Sequence, residues 1–236
     1  MNPRTMNALT LSEVTKTFTM HLQGGLRLPV LRDVSFAAAP GQCIVLTGPS
    51  GAGKSSILKL IYGNYRCDSG HILVSAADNT VDIATAAPRE ILSVRQRALG
   101  YVTQFLRAVP RVSALDIVAE PLIMKGVARD DATARAAMML RRFNVPERLW
   151  SLPPATFSGG EQQRINLARG LLPEHPILLL DEPTASLDAN NRAVVVDIVR
   201  ERKQQGAAIV AIVHDENVRE EIADIAVDVT HFATAA

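Results

Sequence analysis

Apolar residues in this chain gather into short unbroken runs, among them Cys43 to Leu46, Ile177 to Leu180 and Ala208 to Val213. Runs of this length with no polar alternation predict strands covered on both faces, as in a parallel sheet. Further strands are expected near Ile72–Val74 and Leu99–Val102. At the start of the chain Leu9, Leu11 and, less regularly, Val14 predict a strand ending near Phe18. His21 to Pro29, with Gly24-Gly25, reads as a loop, and Val30 to Phe36 as another strand. Helical patterns separate several of these runs: one follows Lys54, one spans Ile165 to Leu172 and one spans Asn190 to Lys203. Strands alternating with helices predict an α/β fold around a largely parallel sheet. From about Phe105 to Thr156 the pattern changes. Ala132, Ala136, Met139, Leu140 and Phe143 repeat at helical spacing, and Pro110 and Pro153-Pro154 bound the block. The expected organisation is one domain over residues 1–236 with a helical subdomain inserted at 105–156. The polar first seven residues read as a loose leader.

Composition narrows the function classes. Lys and Arg number 25 against 24 Asp and Glu, so no bulk charge draws the chain to nucleic acid or to an anionic membrane. The apolar fraction of 47% supports a sizeable core. No run approaches the roughly 18 apolar residues that would span a bilayer, and the first residues lack the apolar segment of a signal peptide. A cytoplasmic protein is expected, with any membrane part supplied by another chain. Cys43 lies in an apolar run and Cys67 stands apart from it, which suits a reduced compartment. His21, His71, His175 and His231 show no ligand spacing. Arg135, Arg141 and Arg142 read as a solvated helix face, and Trp150 as packing within the helical block.

Three motifs carry chemistry. In Gly48-Pro49-Ser50-Gly51-Ala52-Gly53-Lys54-Ser55, glycines let successive backbone N–H groups turn inward, and the following helix adds its positive end. Lys54 can reach β- and γ-phosphates, and the Ser55 hydroxyl can join a Mg²⁺ shell. Ile177 to Leu180 delivers Asp181 and Glu182 to the ligand-binding edge of the sheet. There Asp181 can hold the metal and Glu182 can polarise an attacking water. Ser158-Gly159-Gly160-Glu161 opens a helix and forms a second anion-binding end. One phosphate chain hardly needs two helix ends from distant segments, so the second end is expected to serve a nucleotide held by a partner molecule.

With these three motifs in place, the chain resembles the ATP-binding-cassette (ABC) family over about Leu9 to Val229. Phe157 and Glu161 depart from the family's usual Leu and Gln. The resemblance implies a P-loop NTPase of ABC type: a mixed, largely parallel sheet with an inserted helical subdomain, using ATP and Mg²⁺. It implies that Ser56 joins the phosphate loop and that Gln104 is the glutamine loop reaching the metal. It further implies that Asp188, in Ser186-Leu187-Asp188, faces the partner cassette and that His214 contacts the γ-phosphate. Phe18 falls where the family stacks an aromatic on adenine, with a core role as the alternative.

Leu28-Pro29-Val30-Leu31, Gln104-Phe105-Leu106-Arg107, Pro110 to Leu115 and Asn144 to Trp150 running into Ser158 resemble the cassette subunits of bacterial carbon–phosphorus lyase systems for phosphonate breakdown. That implies a soluble lyase core complex as partner beside a second cassette, homo- or heterodimeric. Two alternatives stand beside it. One is the nucleotide-binding subunit of a transporter of importer or lipoprotein-release type. The other is an ATP-sensing clamp with little hydrolysis, which the presence of both Glu182 and His214 opposes.

Overall fold

The computed structural model describes residues 7–20, 22, 24–76, 79–106 and 110–233; His21 and Arg107 lie outside them. Two sheets organise the chain. The first is antiparallel, in the order β2-β1-β4-β5, and is made of β1 (Leu9–Met20), β2 (Leu26–Ala38), β4 (Ser69–Ala76) and β5 (Asn79–Asp82). The second is parallel throughout, in the order β6-β7-β8-β3-β9. Its members are β3 (Cys43–Thr47), β6 (Leu99–Val102), β7 (Ile177–Asp181), β8 (Ala208–Ile212) and β9 (Ile225–Asp228). The expected α/β architecture with a largely parallel core is thus built as a parallel sheet beside a separate antiparallel one.

The uninterrupted apolar runs have a simple cause. Cys43, Val45, Leu178, Leu180, Ile209 and Ala211 feed a core on one face of the parallel sheet. Ile44, Leu46, Ile177, Leu179, Ala208 and Val210 feed a second core on the other face, shared with the antiparallel sheet. With both faces covered, no polar residue is tolerated in alternation. Each such Leu or Ile contributes about 1.5–3 kcal/mol of burial.

Helices α1 (Lys54–Ile61), α2 (Pro88–Arg97), α5 (Gly159–Leu171), α6 (Ala189–Gln204) and α7 (Glu216–Ile222) join the strands. Between β6 and α5 the chain forms α3 (Ala114–Met124), α4 (Arg129–Arg142) and two short 3-10 turns. Ala132, Ala136 and Leu140 of α4, and Phe143 just after it, are fully buried, which is the spacing that marks this helix in the sequence.

Two expectations are corrected. The segment read as a loop from His21 to Pro29 ends sooner than expected: β2 begins at Leu26, and Met20 pairs with Leu26 and Thr17 with Pro29. The turn holds Gly24 and Gly25, both at positive φ. Pro29 is accommodated because β2 is the edge of its sheet. The irregular spacing of Val14 after Leu9 and Leu11 comes from a bulge: Glu13 has φ 53° and the β1–β2 register shifts there. The extra residue returns Val14 to the core side, where it is fully buried.

Candidate active site

The phosphate loop leaves the end of β3. Gly48, Gly51 and Gly53 take φ of 126°, 83° and 98°, conformations that strain any residue with a Cβ. At Gly53 a Cβ would also lie 2.8 Å from Leu31 Cδ2. The loop passes into α1 with no side-chain cap at its N-terminus, so backbone N–H groups there face the space a phosphate would occupy. Lys54 is buried and its Nζ donates to the carbonyls of Gly48 and Pro49, at 2.7 and 2.8 Å. The loop thus holds its own lysine across the concavity, placed for an incoming anion. Pro49, Ser50, Ala52 and Ser56 lie along the same turn and first helical residues.

The strand end of β7 meets this loop. Ser55 Oγ donates to Asp181 Oδ1 at 2.9 Å. Hydroxyl and carboxylate form a hard-oxygen pair that suits Mg²⁺, which binds through one or two carboxylates and substrate phosphates. Among the described residues no group of three or more His, Cys, Asp or Glu side chains gathers into a metal cage.

Glu182 follows at φ 53°, and its N–H donates to Ile212 O of β8. A non-glycine residue in this region costs on the order of 1–3 kcal/mol, and the strand-end hydrogen bond holds it there. Its two carboxylate oxygens are both engaged. Gln104 Nε2 donates to Oε2 at 2.8 Å, and His214 Nε2 lies 3.0 Å from Oε1. Residues 78 and 32 positions away therefore meet on one carboxylate. Gln104 is placed by the end of β6, and the preceding carbonyl of Thr103 accepts from Asn166 Nδ2 on α5.

One residue that reads in the sequence as a plain strand position belongs to this cluster. Tyr101, third in β6, donates its hydroxyl to Asp181 Oδ2 at 3.0 Å. The available signal is a polar tip on a strand that otherwise reads as core.

The second group surrounds the start of α5. Ser158 caps that helix, and Glu161 closes a capping box. The Glu161 carboxylate accepts from Ser158 N at 2.9 Å and Ser158 Oγ at 2.7 Å. These hydrogen bonds, that from the Ser158 side chain foremost, hold Glu161 below the usual carboxylate range. The Gln-to-Glu departure noted above thus has a local use within the chain. Gly160 lies against Ser186, where an added Cβ would be 3.3 Å from the carbonyl oxygen, whereas a Cβ on Gly159 would meet nothing within 4 Å. Packing inside the chain does not require glycine at position 159. Asp188 caps α6, accepting from Asn191 N at 2.8 Å and Nδ2 at 2.9 Å, and these bonds lower its pKa.

Phe18 is half-buried near the end of β1, edge-on to Tyr65 with ring centroids 5.1 Å apart, and Lys16 Nζ lies 5.3 Å from its centroid. Trp150 anchors its segment by donating Nε1 to Val145 O at 3.0 Å, which fits the packing role expected of it. His71 pairs with Asp82, and His175 lies beside Lys125. Both lie outside the cluster around Asp181 and Glu182.

Comparison with known proteins follows the same lines. A family model described as "ABC transporter" matches residues 31–185. The lipoprotein-releasing system ATP-binding protein LolD of Legionella pneumophila (strain Paris) is 35% identical over 216 residues, 91% of this chain and 92% of the relative. The macrolide export ATP-binding/permease protein MacB of Marinobacter nauticus is 32% identical over 92% of this chain, which spans 32% of that longer protein. Among solved structures, the dimeric post-hydrolysis state of the ATP-binding cassette MJ0796 bound to ADP and Pi superposes with TM-score 0.83. It is 29% identical, with 94% of this chain and 95% of that one covered.

Proposed function

The chain belongs to the ABC transporter family, and we propose that it is an ATP-hydrolysing nucleotide-binding subunit whose site is completed by a second cassette. ATP and Mg²⁺ are its cofactors. The observation that carries the hydrolytic reading is Glu182, held at a strained strand end between Gln104 and His214, next to the Ser55–Asp181 pair. In this reading the loop from Gly48 to Ser56 binds the phosphates and Lys54 turns from its loop carbonyls to the β- and γ-phosphates. Ser55, Asp181 and Gln104 hold the metal. Glu182 polarises the attacking water and His214 contacts the γ-phosphate, with Phe18 against the adenine. Phosphoryl transfer to water asks for positioning and charge stabilisation more than covalent chemistry, which is what this arrangement offers. Ser158, Gly159, Gly160, Glu161 and Asp188 face the nucleotide of the second cassette. The open space over Gly159 leaves room for a partner's nucleotide to approach the helix end.

The helical stretch from 105 to 156 is proposed as a subdomain that receives the partner, because Gln104 ties its first residues to Glu182. A transporter permease is the partner that the relatives favour, in particular one of the lipoprotein-release type, with the cassette on the cytoplasmic face. No helix among the described residues is long and apolar enough to cross a membrane. A second reading, a soluble carbon–phosphorus lyase assembly, rests on the sequence resemblance alone, and the relatives described above are transport and lipoprotein-release proteins instead. Fractionation of native cells carrying the tagged chain, followed by mass spectrometry of what co-purifies, tests both. A polytopic protein recovered from detergent-solubilised membranes supports the transporter subunit. Recovery in a soluble complex with phosphonate-cleaving enzymes supports the second reading and rejects the first.

A further inference from the structure

A cleft of about 450 Å³ opens between α2, α3 and the outer edge of β6, and its walls include Tyr62, Leu92, Arg95, Tyr101 and Met124. Leu92 and Met124 present exposed apolar surface to it. β6 is the last strand of the parallel sheet and, among the described residues, pairs with β7 alone, so the side chains of this edge strand stand between the cleft and the strand ends that bear the proposed metal-binding carboxylate. Tyr101 spans that gap. Its ring packs on the Tyr62 ring at 5.1 Å between centroids, tilted by 57°. The Tyr62 ring in turn lies 4.4 Å beneath the Arg95 guanidinium, which also donates Nε to Tyr62 O and Nη2 to Asn64 Oδ1. At the other end, the Tyr101 hydroxyl holds Asp181 Oδ2 at 3.0 Å while Ser55 Oγ holds Oδ1 at 2.9 Å.

Asp181 is 5% exposed. A carboxylate withdrawn from water needs donors, and one donor on each oxygen fixes the plane of the group as well as its charge. Hydrogen-bonding partners of a metal's carboxylate ligand commonly govern metal affinity about as strongly as a tenfold or larger factor. We infer that Tyr101 is a positioning residue for the Mg²⁺ carboxylate, its ring steadied by Tyr62 and Arg95 along the cleft wall. This rests on the proposed assignment of Asp181 to the metal, and it adds a support for the metal site that does not pass through Gln104.

Tyr101→Phe keeps the ring and removes the hydroxyl. Affinity of the purified full chain for a fluorescent ATP analogue is measured in EDTA and across a Mg²⁺ titration, with steady-state phosphate release over the same Mg²⁺ range. The variant should bind nucleotide in EDTA within twofold of wild type. Its Mg²⁺ midpoint should rise about tenfold in both binding and turnover, with kcat largely recovered at saturating Mg²⁺. Tyr62→Leu leaves the hydroxyl and removes its ring support. It should shift the Mg²⁺ midpoint in the same direction by a smaller factor, and it carries the test if Tyr101→Phe fails to fold. An unchanged Mg²⁺ midpoint in Tyr101→Phe, or an equal loss of affinity in EDTA, overturns the inference. A wild-type chain whose nucleotide binding ignores Mg²⁺ would instead reject the metal assignment itself.

Discussion

Replacing Glu182 with Gln separates chemistry from binding, and the structure sets the size of each effect. The carboxylate accepts at both oxygens, from Gln104 Nε2 at 2.8 Å and from His214 Nε2 at 3.0 Å. An amide offers one acceptor and one donor, so one of these contacts faces donor against donor. Gln104 can turn its own amide, or His214 can exchange tautomers, to restore the pairing. The structural loss is therefore about the net worth of one hydrogen bond, about 1 kcal/mol, and the melting temperature should fall by roughly 2–4 °C. Folding and ATP affinity should survive, since Lys54, Ser55 and Asp181 are untouched. Turnover is another matter. An amide cannot take a proton from the attacking water, and positioned general bases are worth about 10²–10⁴-fold, or roughly 2.7–5.4 kcal/mol of barrier. Phosphate release by the purified variant should fall by at least about a hundredfold, and size-exclusion chromatography in ATP and Mg²⁺ should show accumulated dimer. Turnover within threefold of wild type, or a parallel loss of ATP affinity, would refute the assignment of Glu182.

Gly159→Arg should leave stability within about 0.5 kcal/mol, because a side chain there meets nothing inside the chain. It should retain ATP binding yet abolish ATP-dependent dimerisation, and wild-type dimer formation in analytical ultracentrifugation would refute the shared site. Asp188→Ala removes the cap of α6 and both bonds to Asn191. It should lower the midpoint of denaturant unfolding, and an unchanged midpoint would show that the cap is not limiting. His175 supplies a pH dependence: burial, then the charges of Lys125 and Arg202, push its pKa down to about 4. The unfolded chain binds the proton more readily, so this contribution to stability is full above the usual histidine pKa and is lost as pH falls towards 4. His175→Gln should flatten the acid arm of the stability–pH curve by about 3 kcal/mol at most, and identical acid arms in wild type and variant would refute it.

Sequence order alone determined what is local. The phosphate loop, the β7 run ending in Asp181-Glu182, and the Ser158-Gly159-Gly160 opening of α5 are each contiguous. Their chemistry follows from residue types at fixed spacing, and the resemblance carried by these motifs supplied Gln104 and His214. The buried strands were legible because coverage on both faces leaves an unbroken apolar run, and α4 because its buried face repeats at helical period. Other elements gave weaker signals. In α2 one residue, Val94, is buried, and in β9 none is fully buried, so neither has a period to read.

Tertiary structure decided the rest. Glu13 had to adopt a positive φ before Val14 could rejoin the core, and the β1–β2 hairpin absorbed a segment whose Gly and Pro content reads as loop. The pairings that make the site were settled by parallel strand order. Gln104 with Glu182 and Tyr101 with Asp181 cross 78 and 80 residues, and no local period encodes which strand ends become neighbours. The role of Tyr101 could be seen only there. A tyrosine in a short strand reads as core until the fold sets its hydroxyl against a carboxylate and its ring against a cleft. Local spacing fixes the type of chemistry a segment can do, while long-range packing fixes which groups share one carboxylate.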